Sequence, residues 1–407
     1  MKLRAEKMLH KAKCLARLED GQLALISGAL PGELVELELV NKKGVLQGSV
    51  VSVIEASPFR IKPSIHPGLD YSYMDYEYQL EQKQDVIKDA IQRAIKEDLV
   101  VNRPIAAPEI WNYRSSVQPA VSKEGLGYRK VNTNDIVVLD SDPVANRAIN
   151  KYWQKISDLE RPKGIKEIVF RANDDDVLVS LIASASAKNY IDYAHRLLEI
   201  GVSGVGYARY DSRGRFRKGS ERLAGKRNIL QKYGNYEITV NLNSFSQPSP
   251  SAAGQMFVDM VKIVPKGKNM LELYAGSGII SMHLANSYEN ILATEIDKSA
   301  IVRGQRDVVR LGIDNIEFRQ ANAKTFEIPT NIDLIAIDPP RAGLNAGARA
   351  KLNNSSAGHI LYVSCDVVTW ARDVADFMKQ GWNLEHFQAY DFYPHTHHIE
   401  MLSILSR

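Results

Sequence analysis

The stretch LELYAGSGII, residues 271–280, decides the fold that this sequence predicts. Its apolar beginning is typical of a buried strand, and that strand runs directly into Gly276-Ser277-Gly278 before a helical pattern begins. Glycine allows a tight turn and a close backbone approach to a ligand at the carboxyl end of a strand. Because the same turn serves many nucleotide-binding folds, Gly-x-Gly alone identifies no particular cofactor.

Outward from this stretch, strands and helices alternate from Met256 to the end of the chain. The strand-like segments are NMLELYAG, NILATEID, NIEFRQAN, IDLIAIDPP and HILYVSC. Buried apolar strands that alternate with helices are typical of a doubly wound parallel sheet. The sequence therefore predicts an α/β fold with a Rossmann-like domain.

Two polar residues downstream of the glycine turn narrow the choice of cofactor. Glu295 ends the next strand about 20 residues on, where a carboxylate can accept both ribose hydroxyls. After the third strand, Asn322 can hydrogen-bond an adenine. A nicotinamide cofactor usually meets a fuller Gly-x-Gly-x-x-Gly near the start of its domain, and the third glycine is missing here. These features favour S-adenosylmethionine.

Three reactive side chains lie close to predicted strand ends. Asp338 precedes two prolines, which cannot donate ladder hydrogen bonds and so end the strand at a ligand-facing edge. Cys365 ends the strand HILYVSC, whereas a structural cysteine would lie in the middle of such a strand. Glu400 follows three histidines before a final strand. A carboxylate poised for proton transfer fits that position better than a metal site, because no second ligand cluster appears elsewhere.

A cysteine, a base and hydrogen-bond donors are what methylation of uracil at C5 requires. C5 is too weakly nucleophilic to attack a methyl sulfonium directly. A thiolate that adds to C6 makes an enolate-like C5, which takes the methyl group. A base then removes the C5 proton, and elimination releases the thiolate. Cys365 and Glu400 match the nucleophile and the base.

The sequence predicts four segments along the chain. Residues 1–62, with short strands and glycine turns, predict a small β-barrel of the oligonucleotide-binding type, and residues 63–111 a bridging segment with a helix. Residues 112–240 are mixed α/β, and residues 241–407 form the doubly wound domain. The central segment carries eight cations between residues 209 and 227, interleaved with aromatic residues. This pattern suits RNA phosphate contact and base stacking, and a solvated loop is the alternative.

Composition excludes several classes of protein. The chain has 407 residues, of which 25% are charged and 44% hydrophobic, and its net charge of +4 permits a polyanionic partner without requiring one. The basic N-terminus predicts no secretory signal, and no apolar run is long enough to span a membrane, so a cytoplasmic location is expected. Cys14 and Cys365 are too few for a disulfide framework, a zinc site or a four-cysteine iron–sulfur site, and no metal is predicted.

Taken in order, these motifs resemble those of one family, the uridine-5 RNA methyltransferases that act on 23S ribosomal RNA and on tRNA. The resemblance covers nearly the whole chain. GQLALISGALPGELVELELV and SPFRIKP are similar to the family's N-terminal TRAM domain, and YQLEQK to its following helix. The catalytic-domain motifs are NSFSQPSPSAAGQMF, LELYAGSG, DPPRAGL, YVSCDVVTWARD and HTHHIEMLSIL.

The resemblance implies a TRAM barrel, a central α/β domain and a Rossmann-like class I methyltransferase domain. It implies S-adenosylmethionine-dependent methylation of an unpaired or flipped uridine in RNA. Ribosomal RNA is favoured because tRNA enzymes often lack the barrel, tRNA is the alternative, and no obligate protein partner is expected. The implied site residues are Cys365 as nucleophile, Glu400 as base, Gln247 and Asp338 at the cofactor or uracil, and Tyr274, Gly276 and Glu295 at the cofactor.

Three departures from the family's pattern stand out. The four-cysteine cluster that many relatives carry is missing, so no iron–sulfur cluster is predicted. The family's Cys-Asn-Pro is Cys365-Asp366-Val367, and its Gln-Val-Asn is Gln247-Pro248-Ser249. A 5-methylcytosine enzyme would need a second cysteine after the prolines, where Arg341 stands. A non-catalytic RNA-binding factor on the same fold is the remaining alternative.

Overall fold

A computed structural model describes residues 1–407, which form 22 β-strands and eight α-helices. The strands are β1 Lys2–Leu9, β2 Lys13–Arg17, β3 Leu23–Ser27, β4 Leu34–Lys42, β5 Val45–Glu55, β6 Ser116–Val117, β7 Ala120–Val121, β8 Leu126–Arg129, β9 Ile136–Val138, β10 Ile165–Ala172, β11 Val177–Ala183, β12 Gly204–Arg209, β13 Glu221–Gly225, β14 Asn228–Tyr233, β15 Tyr236–Asn241, β16 Gly267–Leu273, β17 Tyr288–Glu295, β18 Ile316–Gln320, β19 Leu334–Ile337, β20 His359–Ser364, β21 Asn383–Tyr390 and β22 Glu400–Ser406. The helices are α1 Tyr76–Ala94, α2 Arg147–Asp158, α3 Ile191–Glu199, α4 Pro250–Ile263, α5 Ile279–Leu284, α6 Lys298–Leu311, α7 Ala346–Asn353 and α8 Val367–Lys379.

By packing, the chain divides into two compact units. The first comprises Met1–Ala107, Pro339–Asn353 and Tyr362–Arg407, and the second comprises Pro108–Asp338 and Asn354–Leu361. The four segments that the sequence indicates remain a prediction, since packing divides the chain differently. None of the helices combines the length and the apolar character that a membrane span requires.

The first unit begins with a closed barrel in the order β1-β2-β3-β5-β4. Burial alternates along the strands, as in β1, where Leu3 and Ala5 point inward. The predicted barrel segment of residues 1–62 includes this stretch, but the sequence does not mark β1 as a strand, because its outward positions carry many charges. In the connection between β3 and β4, Glu33 is buried and its Oε1 accepts a hydrogen bond of 2.5 Å from Nε of Arg60.

The rest of the first unit comprises α1, α7, α8, β21, β22 and the end of β20. Helix α1 begins where the Asp75 side chain accepts the N–H of Glu77, and it buries an apolar stripe that includes Leu80, Ile87 and Ile91. Strands β21 and β22 form an antiparallel pair. The helix that the sequence spacing predicts after the barrel is confirmed by α1.

The second unit contains a mixed sheet and a parallel sheet. The mixed sheet has eight strands in the path β13-β12-β11-β10-β7-β8-β9, with β6 paired to β10. Helices α2 and α3 bury apolar faces, and Trp153 and Tyr193 are enclosed in the same hydrophobic core as strands β10 and β11. Beside it, β14 and β15 form a hairpin.

The parallel part of the second unit has the order β18-β17-β16-β19, with α5 and α6 as crossovers. Strand β19 is buried throughout, as an apolar run in a parallel sheet requires. Strand β18 differs from the buried strand that the sequence predicts, because it lies at the edge and is largely exposed. This arrangement places the ends of β16, β17 and β19 at one edge of the sheet.

Candidate cofactor site and candidate active site

The glycine turn after β16 has the backbone that its sequence demands. Tyr274, Gly276 and Gly278 have φ of 62°, 57° and 80°. At Gly278 an added Cβ would lie 2.7 Å from the Phe318 ring, so a side chain has no room there. At Gly276 an added Cβ would meet nothing within 4 Å. The turn is thus packed tightly on one side and open on the other, as a ligand site requires.

The carboxylate of Glu295 is held by three backbone N–H groups at the end of β17. Oε2 accepts the N–H of Gly276 at 2.9 Å, and Oε1 accepts those of Ile296 and Asp297 at 2.7 and 2.9 Å. Because Glu295 is only half-buried, its remaining lone pairs can accept further donors. The structure therefore places Glu295 directly against the glycine turn, where the sequence predicted a ribose acceptor.

Two further carboxyl groups near this turn have raised proton affinity. Burial raises the pKa of Glu272 to about 8, although hydrogen bonds from the N–H and the hydroxyl of Ser281 work against it. Burial also raises the pKa of Asp338 to about 7. Carboxyl groups that hold a proton near neutral pH are concentrated at functional sites. Asp338 directly follows β19, at the sheet edge that the sequence predicts.

Asn322 and Gln247 each accept hydrogen bonds from residues of the second unit. Oδ1 of the exposed Asn322 accepts the N–H of Lys324 at 3.0 Å, so this side chain caps a turn of its own. The carbonyl of Gln247 accepts the hydroxyls of Tyr233 at 3.2 Å and Ser115 at 3.4 Å. Their predicted roles at the cofactor stay predictions.

In the first unit, Cys365 stands between a strand and a helix. It follows the last residue of β20 and precedes Asp366, whose Oδ1 accepts the N–H of Val368 at 3.1 Å and of Thr369 at 2.9 Å and so caps α8. Cys365 is half-buried. Oδ2 of Asp366 lies 3.2 Å from Nε2 of His10, a residue of the barrel turn.

Cys365 lines a small cavity in the first unit, together with His10, Tyr71, Lys83 and His397. The cavity has a volume of about 10 Å³, enough for about one water molecule. Lys83 is buried and its Nζ donates to Oδ1 of Asp391 at 2.7 Å. Burial lowers the pKa of Lys83, and Asp391 opposes that effect. No group of three or more His, Cys, Asp or Glu side chains is arranged to hold a metal ion.

Glu400 is the first residue of β22 and is buried. The segment before it is held by α1, because Oε1 of Gln79 accepts the N–H of His395 at 2.8 Å. His395 has a φ of 64°, and its Nδ1 lies 3.0 Å from Nε2 of Gln79. A further bond joins Nδ1 of His397 to Oδ2 of Asp70 at 2.6 Å. Hydrogen bonds from other elements therefore fix the segment that leads into Glu400 at the start of β22.

The sequence reading did not single out Glu272, Lys83 or His10. The signal at Glu272 was present, since it is a lone acid inside an apolar strand. Lys83 lies among the apolar residues that define the buried face of α1, which is unusual for lysine unless it is paired. Nothing in the sequence around His10 pointed to Asp366, because the two are separated by most of the chain.

A parallel sheet, an open glycine turn and an oriented carboxylate at the next strand end are together typical of the nucleotide-binding class of α/β proteins. Within that class, a model of the family described as tRNA (uracil-5-)-methyltransferase matches residues 75–407. The chain belongs to this family and is an RNA methyltransferase. The predicted family and enzyme class are thereby confirmed.

Individual relatives agree with this assignment. An uncharacterised RNA methyltransferase of Halalkalibacterium halodurans is 26% identical over 98% of this chain and 95% of its own length. The tRNA (uracil(54)-C(5))-methyltransferase of Pyrococcus abyssi is 24% identical over 96% of this chain and 99% of its own length. The crystal structure of the P. abyssi enzyme in complex with S-adenosyl-L-homocysteine superposes with a TM-score of 0.80 at 22% identity, covering 99% of this chain and 100% of that one. The predicted fold class is confirmed.

Proposed function

We propose that this enzyme methylates C5 of a uridine in RNA through a covalent adduct between Cys365 and C6 of the base. The observation that carries this proposal is the contrast between the two cysteines. Cys14 is enclosed in the barrel, its thiol donates to the carbonyl of Ala29 at 3.2 Å, and burial raises its pKa to about 12. Cys365 instead lies beside the first turn of α8 and lines a cavity. Helix N-termini favour the thiolate form.

The residues of the glycine turn fit S-adenosylmethionine, which supplies an electrophilic methyl group when bound. The open side of Gly276 and the oriented carboxylate of Glu295 suit a nucleoside with two ribose hydroxyls. Tyr274 and Asp338 border the same strand ends. The relative crystallised with S-adenosyl-L-homocysteine, the demethylated form of that cofactor, supports this assignment.

In the proposed reaction the thiolate of Cys365 adds to C6 of uracil and forms the sulfur–carbon bond. The electron pair of the C5–C6 double bond moves toward O4, and the enolate-like C5 would then take the methyl group from the sulfonium of bound S-adenosylmethionine, whose sulfur–methyl bond would break to leave S-adenosyl-L-homocysteine. Glu400 accepts the C5 proton, and elimination breaks the sulfur–carbon bond and releases the thiolate. A buried carboxylate suits this step because it is shielded from competing exchange with water.

The RNA class is the finer part of the proposal. The preference for ribosomal RNA stays a prediction. It rests on the N-terminal barrel, which tRNA enzymes often lack, yet the P. abyssi relative that superposes on 99% of this chain is named as a tRNA enzyme. We propose tRNA as the first substrate to test and ribosomal RNA as the second.

Contact with RNA is supported by the distribution of charge between β12 and β13. Arg213 pairs with Asp211 and Arg215 with Glu167, so these two cations are already neutralised. Three cations of this region form no ion pair: Arg209 at the end of β12, and Arg217 and Lys218 in the loop. Arg209 and Lys218 line an open cavity of about 570 Å³ with the aromatic Tyr207. Exposed cations that form no ion pair suit phosphate contact, whereas the buried ring of Tyr207 is already stacked on Tyr190.

Covalent trapping tests the proposal directly. The enzyme is incubated with S-adenosylmethionine and cellular RNA that contains 5-fluorouridine, and the trapped RNA is sequenced. Fluorine at C5 cannot leave as a proton, so the adduct should persist. We expect an adduct with wild type and with the Cys14→Ala control, and none with Cys365→Ala. Trapped tRNA or ribosomal RNA would identify the substrate, whereas no adduct despite binding of both cofactor and RNA would favour a non-catalytic RNA-binding role.

A further inference from the structure

An open groove lies between strand β1 of the barrel and helix α1. It has a volume of about 910 Å³, and all of its lining residues fall between Glu6 and Val101, within the first unit. Helix α1 ends at Ala94, and the chain that follows is tied back to the helix, because Nε2 of Gln84 donates to the carbonyl of Val101 at 2.7 Å. The volume is in the range of sites that hold a drug-sized molecule or several side chains.

The charged side chains of the groove leave a surplus of negative charge. Five carboxylates and two lysines line it. Both lysines, Lys7 and Lys88, form ion pairs with aspartates of α1, whereas Glu97 and Asp98 are exposed and form no ion pair. Because the whole chain has a net charge of +4, this surplus is local. It repels the phosphates of RNA and attracts cationic groups.

One buried polar side chain in the groove has no partner. Helix α1 buries three polar residues, of which Gln79 accepts the N–H of His395 and Lys83 pairs with Asp391. The third, Gln82, is 5% exposed and lines the groove, and its carboxamide forms no hydrogen bond within the chain. Because buried amides are almost always hydrogen-bonded, Gln82 indicates a ligand group that the chain itself does not supply.

Apolar surface accompanies the carboxylates. Two buried residues, Met8 of β1 and Ile91 of α1, line the groove from its two main elements. Val100 also lines it and is 84% exposed. Lysine and arginine lay their alkyl stems on apolar surface while their charged ends reach carboxylates. A segment that combines these cations with aliphatic residues therefore matches both the charge and the apolar surface of the groove.

We propose that this groove binds an extended, lysine- or arginine-rich segment of a partner protein. The cations of that segment pair with Glu97 and Asp98, and its aliphatic side chains pack against Val100. The carboxamide of Gln82, which can both donate and accept, hydrogen-bonds the backbone of the segment. None of these four residues lines the cavity of Cys365, so binding here does not depend on the proposed uridine chemistry.

Fluorescence anisotropy on the full chain tests the proposal with a labelled peptide of sequence Lys-Val-Lys-Leu-Arg-Lys, blocked at its termini. We expect saturable binding that weakens as salt is raised, because exposed ion pairs are screened. The same peptide with glutamate at every cationic position should not bind. Equal binding of the two peptides would overturn the proposal, since charge would then play no part in recognition.

Removal of the unpaired charges gives the first comparison between variants. Glu97→Gln combined with Asp98→Asn should raise the Kd of the basic peptide by about 10-fold, because both attractive carboxylates are lost. Glu19→Gln combined with Asp20→Asn makes the same change in net charge at an exposed barrel turn outside the groove. This control should bind as wild type does. An unchanged Kd in the first variant, or an equal rise in both, would overturn the proposal.

Removal of the buried amide gives the second comparison. Gln82→Leu should raise the Kd of the basic peptide by about 5-fold to 10-fold, the effect of one or two hydrogen bonds. Its Tm should not fall below that of wild type, because the amide has no partner in the free chain. A fall in the Tm would overturn the assignment of Gln82 to a ligand. Loss of binding to a labelled single-stranded RNA hexamer, with the peptide unaffected, would assign the groove to RNA and overturn the proposal.

Discussion

Gly276 donates its backbone N–H to Oε2 of Glu295 over 2.9 Å, which ties the turn after β16 to the end of β17. The second carboxylate oxygen is held by the N–H groups of Ile296 and Asp297. The acceptor is therefore oriented before any ligand binds. Preorganisation of this kind lowers the entropic cost of binding.

Removal of that acceptor should weaken cofactor binding. We expect Glu295→Ala to raise the Kd for S-adenosylmethionine by about 10-fold to 100-fold, because a charged hydrogen-bond acceptor contributes about 1.5–3 kcal/mol. Titration calorimetry measures this constant. Glu317→Ala, an exposed acid on β18, is the control and should bind normally. An unchanged Kd for Glu295→Ala would place the ribose elsewhere.

Loss of the proposed base should arrest the reaction after methyl transfer. With natural uridine RNA, Glu400→Gln should accumulate a covalent, methylated RNA–protein adduct, because the amide cannot accept the C5 proton. Denaturing gel electrophoresis and mass spectrometry detect the adduct. Glu385→Gln on β21 is a matched control and should turn over without accumulation. Normal turnover by Glu400→Gln would assign the base to another residue.

The buried pair of Lys83 and Asp391 should be required for stability. Lys83→Met leaves an uncompensated carboxylate in the interior, and we expect the free energy of unfolding to fall by about 3–5 kcal/mol. Asp391→Asn in the same chain should restore more than half of that loss, because the stranded charge is then removed. Urea denaturation measures both. Lys88→Met breaks an exposed pair and should cost less than about 1 kcal/mol.

The raised pKa of Glu272 predicts a pH dependence with a definite sign. Between the ordinary value of 4.5 and about 8, the unfolded chain has lost a proton that the folded chain keeps. The free energy of unfolding should therefore fall by about 1.4 kcal/mol per pH unit as the pH rises across this window. The contribution of protonated Glu272 to stability is fully present only below the ordinary pKa of 4.5. Glu272→Gln should remove this slope in denaturation experiments at several pH values. A slope that persists in the variant would assign it to another group.

Much of the fold and part of the site follow from the sequence because they depend on local patterns. The turn LELYAGSGII requires left-handed backbone at its glycines and an apolar strand before them, and both are properties of adjacent residues. The position of Glu295 at the end of the next strand follows from the length of one strand–helix–strand unit. The position of Cys365 just beyond β20 follows in the same way from where its apolar run ends.

Only the tertiary structure decided which distant polar groups contact one another. Lys83 and Asp391 are 308 positions apart, and His10 and Asp366 are likewise far apart in the chain. Strand β1 is not evident from the sequence, because its outward positions are charged and its inward residues Leu3 and Ala5 are buried only when the barrel closes. Hydrophobic periodicity records what one element buries, whereas a charge–charge contact depends on the packing of several elements and leaves no local pattern. For this reason the sequence located the thiol, and the folded chain determined which charges surround it.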